Sequence, residues 1–428
     1  MRQTSATIKL DMTDKAIVSL LDTDLYKLTM QAAVLDHFPD AMVEYSFTNR
    51  TPEKKLNPEA VGWLTKQIQG LESLRFSEEE VQYLESTLPH LPRNYLDFLK
   101  TFKLNPKEQV EVIYDTETRD LQFAIHGLWV ETILYEIPIL ALISEAYFHF
   151  VDTDWNYDGQ VESAAEKARQ LLSNGCTFSE FGTRRRRSLK AQRLVIEGIV
   201  KGAKEIDSLS MITGTSNVMF AKEFGLKPVG TVAHEWMMGI AAYSQDYVGN
   251  SRQCMDLWVK TFGTKAAGFA LTDTFGTTSF LKDFVPPYTD YYIGVRQDSG
   301  DPEQYTKLVA DHYRSLGYAP NTKMIIFSDS LNVEKCIKYK QVAQDQGLIA
   351  TFGVGTFFTN DFTSVSTGDK STPLNIVIKL SRVNGKPAIK ISDNISKNTG
   401  DAATVSQVKQ ELGYVEKEWA EGDESKRW

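Results

Sequence analysis

The residues of this chain that could do chemistry stand in short clusters, and the middle one is Gly230-Thr231-Val232-Ala233-His234-Glu235-Trp236. His234 is the one histidine of six that stands inside such a cluster. A neutral imidazole there can act as a nucleophile or carry a proton. The run His-Glu-Trp-Met-Met lacks the H-E-x-x-H spacing of a zinc protease helix. A lone histidine is more often structural, so His234 takes its weight from its neighbours. Thr231 lies three residues earlier, and an unbroken strand would turn the two side chains to opposite faces. They share a pocket only if the strand ends near Ala233, which is the expectation.

Phe181-Gly-Thr-Arg184 opens a run of four arginines, Arg184 to Arg187. Arginine forks bind phosphate and carboxylate in bidentate geometry. The competing reading is a solvated basic face or a nuclear-import patch. Arg184 is the best placed to reach a ligand. Phe181 offers a flat face to an aromatic ligand, or packs in the core. Arg296-Gln-Asp298-Ser-Gly-Asp301 puts a cation, two carboxylates, a hydroxyl and a glycine in six residues. That mixture suits a sugar phosphate with a divalent metal, and equally a turn held by its own side chains. Gly353-Val-Gly355-Thr356 offers backbone N–H groups and a hydroxyl, as phosphate cradles do, but Phe358 breaks the dinucleotide pattern. Gly214-Thr-Ser216-Asn217, Thr272 to Gly276 and Ser328-Asp-Ser330-Leu-Asn332 complete the set. There is no G-x-x-x-x-G-K-[ST] phosphate loop.

Each cluster follows a short apolar, β-rich run, and most intervals have room for a helix. Seven alternating units between residues 151 and 374 predict parallel strands in an α/β fold: a barrel, closed or nearly so, with its chemistry at the carboxyl ends of the strands. Outside that span the pattern is α+β. Leu25, Leu28, Ala32 and Leu35 predict a helix capped by Thr23 and stopped by Pro39. Val43, Tyr45 and Phe47 alternate as in a half-buried strand, and residues 109–114 and 121–126 read as a hairpin. Residues 53–107 are helical, broken at Pro89 and Pro92. Leu128 to Phe150 is the strongest apolar helix, kinked or divided at Pro138. Ala164, Ala168 and Leu171 mark a helix that Asn174-Gly175 stops. Asn384-Gly385 predicts a hairpin between 375–380 and 386–391 that can pair with the early strands. The expected organisation is a discontinuous α+β domain, 1–150 joined by 375–428, around a barrel domain, 151–374.

The whole-chain balance excludes several classes. A formal net charge of -9 repels phosphate polyanions, so neither a nucleic acid nor a membrane surface is an expected partner. The apolar run from Ile137 is too short to span a bilayer, and the N-terminus lacks an apolar signal core. Three distant cysteines without a C-x-x-C pair read as buried free thiols in a reducing compartment. A cytoplasmic protein is expected, with nuclear entry left open.

The clusters taken together resemble the nicotinate phosphoribosyltransferase family, in its fungal and enterobacterial type. The likeness is carried, in order, by Leu21-Asp-Thr-Asp-Leu-Tyr26-Lys-Leu-Thr-Met30, Phe178 to Arg187, Gly230 to Trp236, Thr272-Asp-Thr-Phe-Gly-Thr277, Gly294 to Asp301 and Phe352 to Thr356. It runs from about residue 18 to the end. The resemblance implies a two-domain fold with an irregular, partly open α/β barrel, and condensation of nicotinate with 5-phosphoribosyl 1-pyrophosphate, giving nicotinate mononucleotide and pyrophosphate. It implies coupled ATP hydrolysis through a phosphohistidine at the position of His234, with Mg2+ on the phosphates. It also implies a homodimer with a shared active site, in which the segment through Tyr26 reaches the partner.

In that light His234 and Asp298 are the expected catalytic groups. Tyr26, Phe181, Thr231, Arg296 and Ser216 would hold nicotinate, with Arg296 on its carboxylate. Arg184, Ser330, Gly355 and Thr356 would hold the phosphoribosyl and phosphate groups. The related nicotinamide enzymes carry an aspartate where Ser216 stands; its missing charge favours the acid. No residue set has a recognisable metal-ligand spacing. The alternatives are a nicotinamide phosphoribosyltransferase, a barrel lyase or metal-dependent hydrolase using Asp273, Asp298 and Asp301, and a non-catalytic protein that binds phosphoribosyl ligands.

Overall fold

The structure, a computed structural model, describes residues 15–393 and 398–414. Most of the polar N-terminus and the tail from Glu416 lie outside the described residues. In chain order the strands are β1 (Met42–Asn49), β2 (Val110–Tyr114), β3 (Leu121–Leu128), β4 (Phe178–Glu180), β5 (Ile212–Thr215), β6 (Phe269–Leu271), β7 (Gly294–Gln297), β8 (Met324–Phe327), β9 (Ile349–Val354), β10 (Phe362–Thr363), β11 (Lys370–Ser371), β12 (Ile376–Val383) and β13 (Lys386–Pro387).

An antiparallel sheet takes strands from both ends of the chain, in the order β13-β12-β1-β3-β2. Along β1 the buried residues are Val43, Tyr45 and Phe47, and their neighbours face out, so the alternation read from the sequence sets the strand's faces. Phe47 lies opposite Ile378 on one side, and Tyr45 opposite Ile125 on the other. The 109–126 hairpin forms as β2 and β3, with Val112 opposite Phe123. Asn384 and Gly385 both take positive φ, 48° and 76°, as their turn requires. Strand β13 is shorter than the expected 386–391, although Ala388 N beyond it still donates to Ser381 O at 2.9 Å.

The second sheet is parallel throughout, in the order β5-β4-β9-β8-β7-β6. It has six strands, where seven units were expected. The Gly230 unit contributes none: it runs extended from Pro228, touches the sheet through one bridge to Thr215, and turns into the helix His234–Ser244. Five residues separate that proline from the helix. Among the described residues no ladder joins the edge strands β5 and β6.

Helices complete the frame. Leu25–His37 is capped by Asp24 and not by Thr23, and the Asp24 side chain makes no cap bond because its carboxylate accepts from Ser216. The long apolar segment is divided: Trp129–Thr132, a 3-10 turn at Ile133–Tyr135, then Glu136–Phe150. Pro138 falls in the first turn of the last piece, where its missing N–H costs nothing. Trp129–Phe150 is apolar and long enough to cross a bilayer, yet 83% of its apolar window is buried inside the protein, as in a core helix. Each fully buried leucine or isoleucine in it contributes roughly 1.5–3 kcal/mol. Helices Gln160–Ser173 and Leu189–Glu205 touch backbone to backbone, because Gly198 and Gly202 lie against Val161 and Ala165 with no room for a side chain. The arginine run leads into the second of them. Cys176, Cys254 and Cys336 are buried and unbonded.

Candidate active site

The carboxyl ends of the parallel strands meet the antiparallel sheet around one cavity of about 470 Å³. Tyr26, Phe181, Arg184, Ser216, Thr231, His234, Arg296, Asp298, Ser330, Gly355 and Thr356 all line it. The clusters, spread over some 330 residues of chain, therefore converge.

His234 is the first residue of its helix, and Ala233 before it is still extended (φ -105°, ψ 161°). The extended chain ends at Ala233, which lets Thr231 and His234 face the same cavity. Nε2 of His234 lies 2.8 Å from Oδ1 of Asp273 and 3.7 Å from Oδ2 of Asp298. Oδ2 of Asp273 accepts from Ser299 Oγ at 2.5 Å and from Lys390 Nζ at 3.2 Å. Burial alone would raise the Asp273 pKa, but Lys390 and His234 outweigh it and hold the carboxyl well below its ordinary value. Burial, and then the Lys390 charge, push the His234 pKa down against the pull of Asp273. The imidazole is therefore neutral at pH 7. An ionised carboxylate only accepts, so Nε2 carries the hydrogen and Nδ1 keeps its lone pair.

Arg296, on β7, donates to Asp298 Oδ1 at 2.6 Å, to Ser328 Oγ at 2.8 Å and to Thr231 Oγ1 at 2.9 Å. Its side chain is 14% exposed, toward the cavity. Burial raises the Asp298 pKa, but Arg296 and His234 more than reverse this, so that carboxylate is ionised. His234, Asp273 and Asp298 could by spacing surround a cation. Each carboxylate already has a protein cation, Lys390 on Asp273 and Arg296 on Asp298, so the cluster is charge-balanced without one. The cavity also holds the Asp329 carboxylate, whose Oδ1 accepts from the Ser330 hydroxyl at 3.2 Å. Hard oxygen donors of that kind suit Mg2+.

The arginine run divides. Arg184 and Arg185 line the cavity, while Arg186 and Arg187 are fully buried, which removes the reading of the run as a solvated basic face. Nη1 of Arg184 lies 3.7 Å from Glu136. Glu136 in turn accepts from Lys27 at 2.5 Å, and Lys27 also bonds Glu235, the residue after His234. Tyr45 and Trp129 donate to the same Glu235 at 2.7 and 2.8 Å. A buried polar network thus joins the start of the His234 helix to the arginine turn.

Phe181 lies against the backbone of Gly353, where any side chain would collide with its ring. Ser216 donates to Asp24 Oδ1 at 2.7 Å, so its hydroxyl is already engaged and the carboxylate absent at 216 has a neighbour at 24. Burial raises the Asp24 pKa, which favours its neutral form. At the other end, Ser330 takes positive φ (51°) and its carbonyl accepts from Lys335 at 2.9 Å. The short helix Thr356–Thr359 starts at Gly355.

The segment through Tyr26 lines this chain's own cavity. Leu25 N donates to Ser216 O at 2.8 Å, Val218 N to Thr23 O at 3.0 Å and Met219 N to Leu21 O at 2.8 Å. Those bonds hold Tyr26 in the cavity of its own chain.

Sequence reasoning missed Lys390, Asp24 and Glu136. The signal for Lys390 was present: it stands between Ile389 and Ile391, so alternation put it opposite a buried face. Nothing in the sequence said that the opposite face is the cavity.

The comparisons agree with the geometry. The model of the nicotinate phosphoribosyltransferase (NAPRTase) family matches residues 176–416, and that of the NAPRTase N-terminal domain matches 21–144. The nicotinate phosphoribosyltransferase of Saccharomyces cerevisiae is 54% identical, covering 97% of this chain and 100% of its own. The probable nicotinate phosphoribosyltransferase of Schizosaccharomyces pombe is 48% identical over 94% of this chain and 99% of its own. A crystal structure of a putative nicotinate phosphoribosyltransferase from Saccharomyces cerevisiae superposes with a TM-score of 0.92 at 53% identity, covering 94% of this chain and all of that one. The nicotinate phosphoribosyltransferase of Porphyromonas gingivalis gives 0.85 at 33% identity, over 93% of this chain and all of that one. Joined to a cavity that gathers the expected residues, these matches show that the chain belongs to the nicotinate phosphoribosyltransferase family.

Proposed function

We propose that this protein joins nicotinate to 5-phosphoribosyl 1-pyrophosphate, releasing pyrophosphate and nicotinate mononucleotide, with ATP hydrolysed through a phosphohistidine at His234. This is the entry of nicotinate into NAD synthesis. The observation that carries the reading is the convergence on one cavity of two cationic forks, two aromatic rings, a hydroxyl-lined glycine turn and a neutral imidazole.

The pyridine ring lies between Tyr26 and Phe181, with its carboxylate on Arg296 and the Thr231 hydroxyl. Asp298 already holds that guanidinium, so the substrate carboxylate shares it. Asp24 beside Ser216 is already bonded to that hydroxyl, and burial raises its pKa. The 5-phosphate sits at Gly355, Thr356 and Ser330, and Arg184 draws charge from the leaving pyrophosphate. The anomeric carbon becomes cation-like as its bond to pyrophosphate breaks and the pyridine nitrogen forms a new one. The ionised Asp298 stabilises that charge. Asp329 would hold Mg2+, which when bound would supply charge neutralisation to the pyrophosphate.

In the coupled reaction the Nδ1 lone pair of His234 forms a bond to the γ-phosphorus of ATP while the bond to the β-phosphate oxygen breaks, and ADP leaves with the electron pair. Nε2–H stays on Asp273 throughout. The parallel sheet is read as the wall of an irregular, partly open α/β barrel (151–374), and the residues outside it as a discontinuous α+β domain. A homodimer is the expected assembly, and sedimentation of the active species distinguishes it from a monomer. A cytoplasmic location fits the three unbonded thiols, and the burial of Arg186 and Arg187 leaves little of the arginine run for an import receptor.

The test is labelling with γ-labelled ATP. The native chain takes up acid-labile label, and His234→Ala takes up none. Label persisting on that variant puts the acceptor elsewhere.

A further inference from the structure

We propose that Lys390 is a positioning residue for His234: acting through Asp273, its ammonium keeps the imidazole uncharged, with the hydrogen on Nε2 and Nδ1 open to phosphorus. The inference rests on His234 as phosphoryl acceptor and says what makes it one.

Lys390 is rigidly placed. Its N–H donates to Thr399 O at 2.9 Å, its carbonyl accepts from Thr399 N at 3.1 Å, and Ile391 N donates to Thr274 O at 2.7 Å. The last bond ties it to the residue after Asp273. Ile389 and Ile391 are fully buried on one side, which sends the lysine side chain the other way, and it is only 5% exposed. Its amine reaches Asp273 Oδ2 at 3.2 Å, while His234 Nε2 reaches Oδ1 of the same carboxylate at 2.8 Å.

One carboxylate between an imidazole and an ammonium decides which of them is charged. Alone with Asp273, His234 would gain a proton and form an ion pair, losing the Nδ1 lone pair. Lys390 already balances Asp273, so a second cation there is repelled, and the Lys390 charge indeed acts to lower the His234 pKa. The other charged groups around the ring do not replace it. Asp298 lies at 3.7 Å and is held by Arg296. Glu235, on the same helix, is turned to Lys27, Tyr45 and Trp129. Lys379, on the neighbouring β12, is a cavity cation of the same sign as Lys390. When Nδ1 takes the phosphoryl group from ATP and ADP leaves with the electron pair, Nε2–H remains on Asp273, which Lys390 holds from its other oxygen.

The test uses full-length Lys390→Met and Lys390→Arg, each checked for native circular dichroism. The titration midpoint of His234 is read by NMR on 13Cε1-histidine protein, with His234→Ala assigning the signal. In Lys390→Met the midpoint rises by about one pH unit or more. The acid limb of phosphoenzyme formation from γ-labelled ATP moves with it, so labelling below that limb falls roughly tenfold and recovers at alkaline pH. Lys390→Arg restores both. A folded Lys390→Met with the native midpoint and limb overturns the proposal, as does a labelling defect that neither pH nor arginine rescues. If Lys390→Met does not fold, Lys390→Gln carries the same readings. If the native chain takes no label at any pH, the acceptor reading of His234 fails, while the NMR midpoints still decide whether Lys390 sets its charge.

Discussion

Arg184 and Arg186 stand two residues apart and meet opposite surroundings. Arg184 is 41% exposed on the cavity wall, with Glu136 at 3.7 Å. Arg186 is fully buried, forked onto Asp22 at 2.7 and 2.8 Å, and also bonds Gln192 Oε1 and Ala16 O. Arg187 is buried too, with its guanidinium 3.6 Å from the centre of the Phe148 ring and 4.4 Å from that of Phe362. The 3-10 turn Thr183–Arg185 makes the difference. It presents the first two arginines to the cavity and sends the next two into the protein. One run of like residues thus supplies both the charge for a ligand and the fixed base beneath it.

The largest expected effect breaks the buried half. Arg186→Ala leaves the Asp22 carboxylate buried without its cation, and should lower stability by about 3–5 kcal/mol in denaturant melts. A smaller loss would mean that water reaches Asp22.

Next comes Glu180, at the foot of the turn. Its carboxylate accepts from Thr215 Oγ1, Gly182 N and Gln192 Nε2, and Gln192 also holds Arg186. Burial raises its pKa from 4.5 to about 7. The folded chain therefore binds one more proton than the unfolded chain between those values. That contribution to stability is fully present below about 4.5 and is lost as pH rises through about 7. Its full span is on the order of 3 kcal/mol. Melts of the native chain and Glu180→Gln across this range should differ by that slope; parallel curves would show that Glu180 does not titrate there.

Arg184→Ala gives the smallest change, and on the other axis. Stability should move by less than about 1 kcal/mol, since a half-exposed arginine is removed. The KM for 5-phosphoribosyl 1-pyrophosphate should rise at least tenfold, about 1.4 kcal/mol of binding. An unchanged KM would move the pyrophosphate end of the cavity away from this turn.

The same contrast shows what the sequence could tell. Strand alternation at Val43, Tyr45 and Phe47, the Asn384-Gly385 turn and the strand-then-cluster rhythm are local signals, and they set the corresponding elements. The clusters are local too, and the fold brings all but one of them to one cavity; Thr272 to Gly276 lies behind it, where Asp273 meets His234. What was illegible depends on distant partners. Place in the run favoured Arg184, but nothing local said that Arg186 and Arg187 would be buried. The Gly230 unit reads like its neighbours, but Pro228 and an early helix start leave it without a ladder. The Ser216 hydroxyl is engaged by an aspartate 192 residues away, and Asp273 by a lysine 117 residues away. The course of residues 21–26 into their own chain's cavity is likewise set by backbone bonds to 216–219.

The most direct measurement is steady-state turnover of the full-length chain with 5-phosphoribosyl 1-pyrophosphate and Mg2+, offering nicotinate or nicotinamide, with and without ATP. We expect nicotinate mononucleotide and pyrophosphate in equal amounts, a higher kcat/KM for the acid than for the amide, and stimulation by ATP that His234→Ala abolishes. Faster turnover of the amide, or binding of the phosphoribosyl substrate with no product from either pyridine, would contradict the assignment of this cavity.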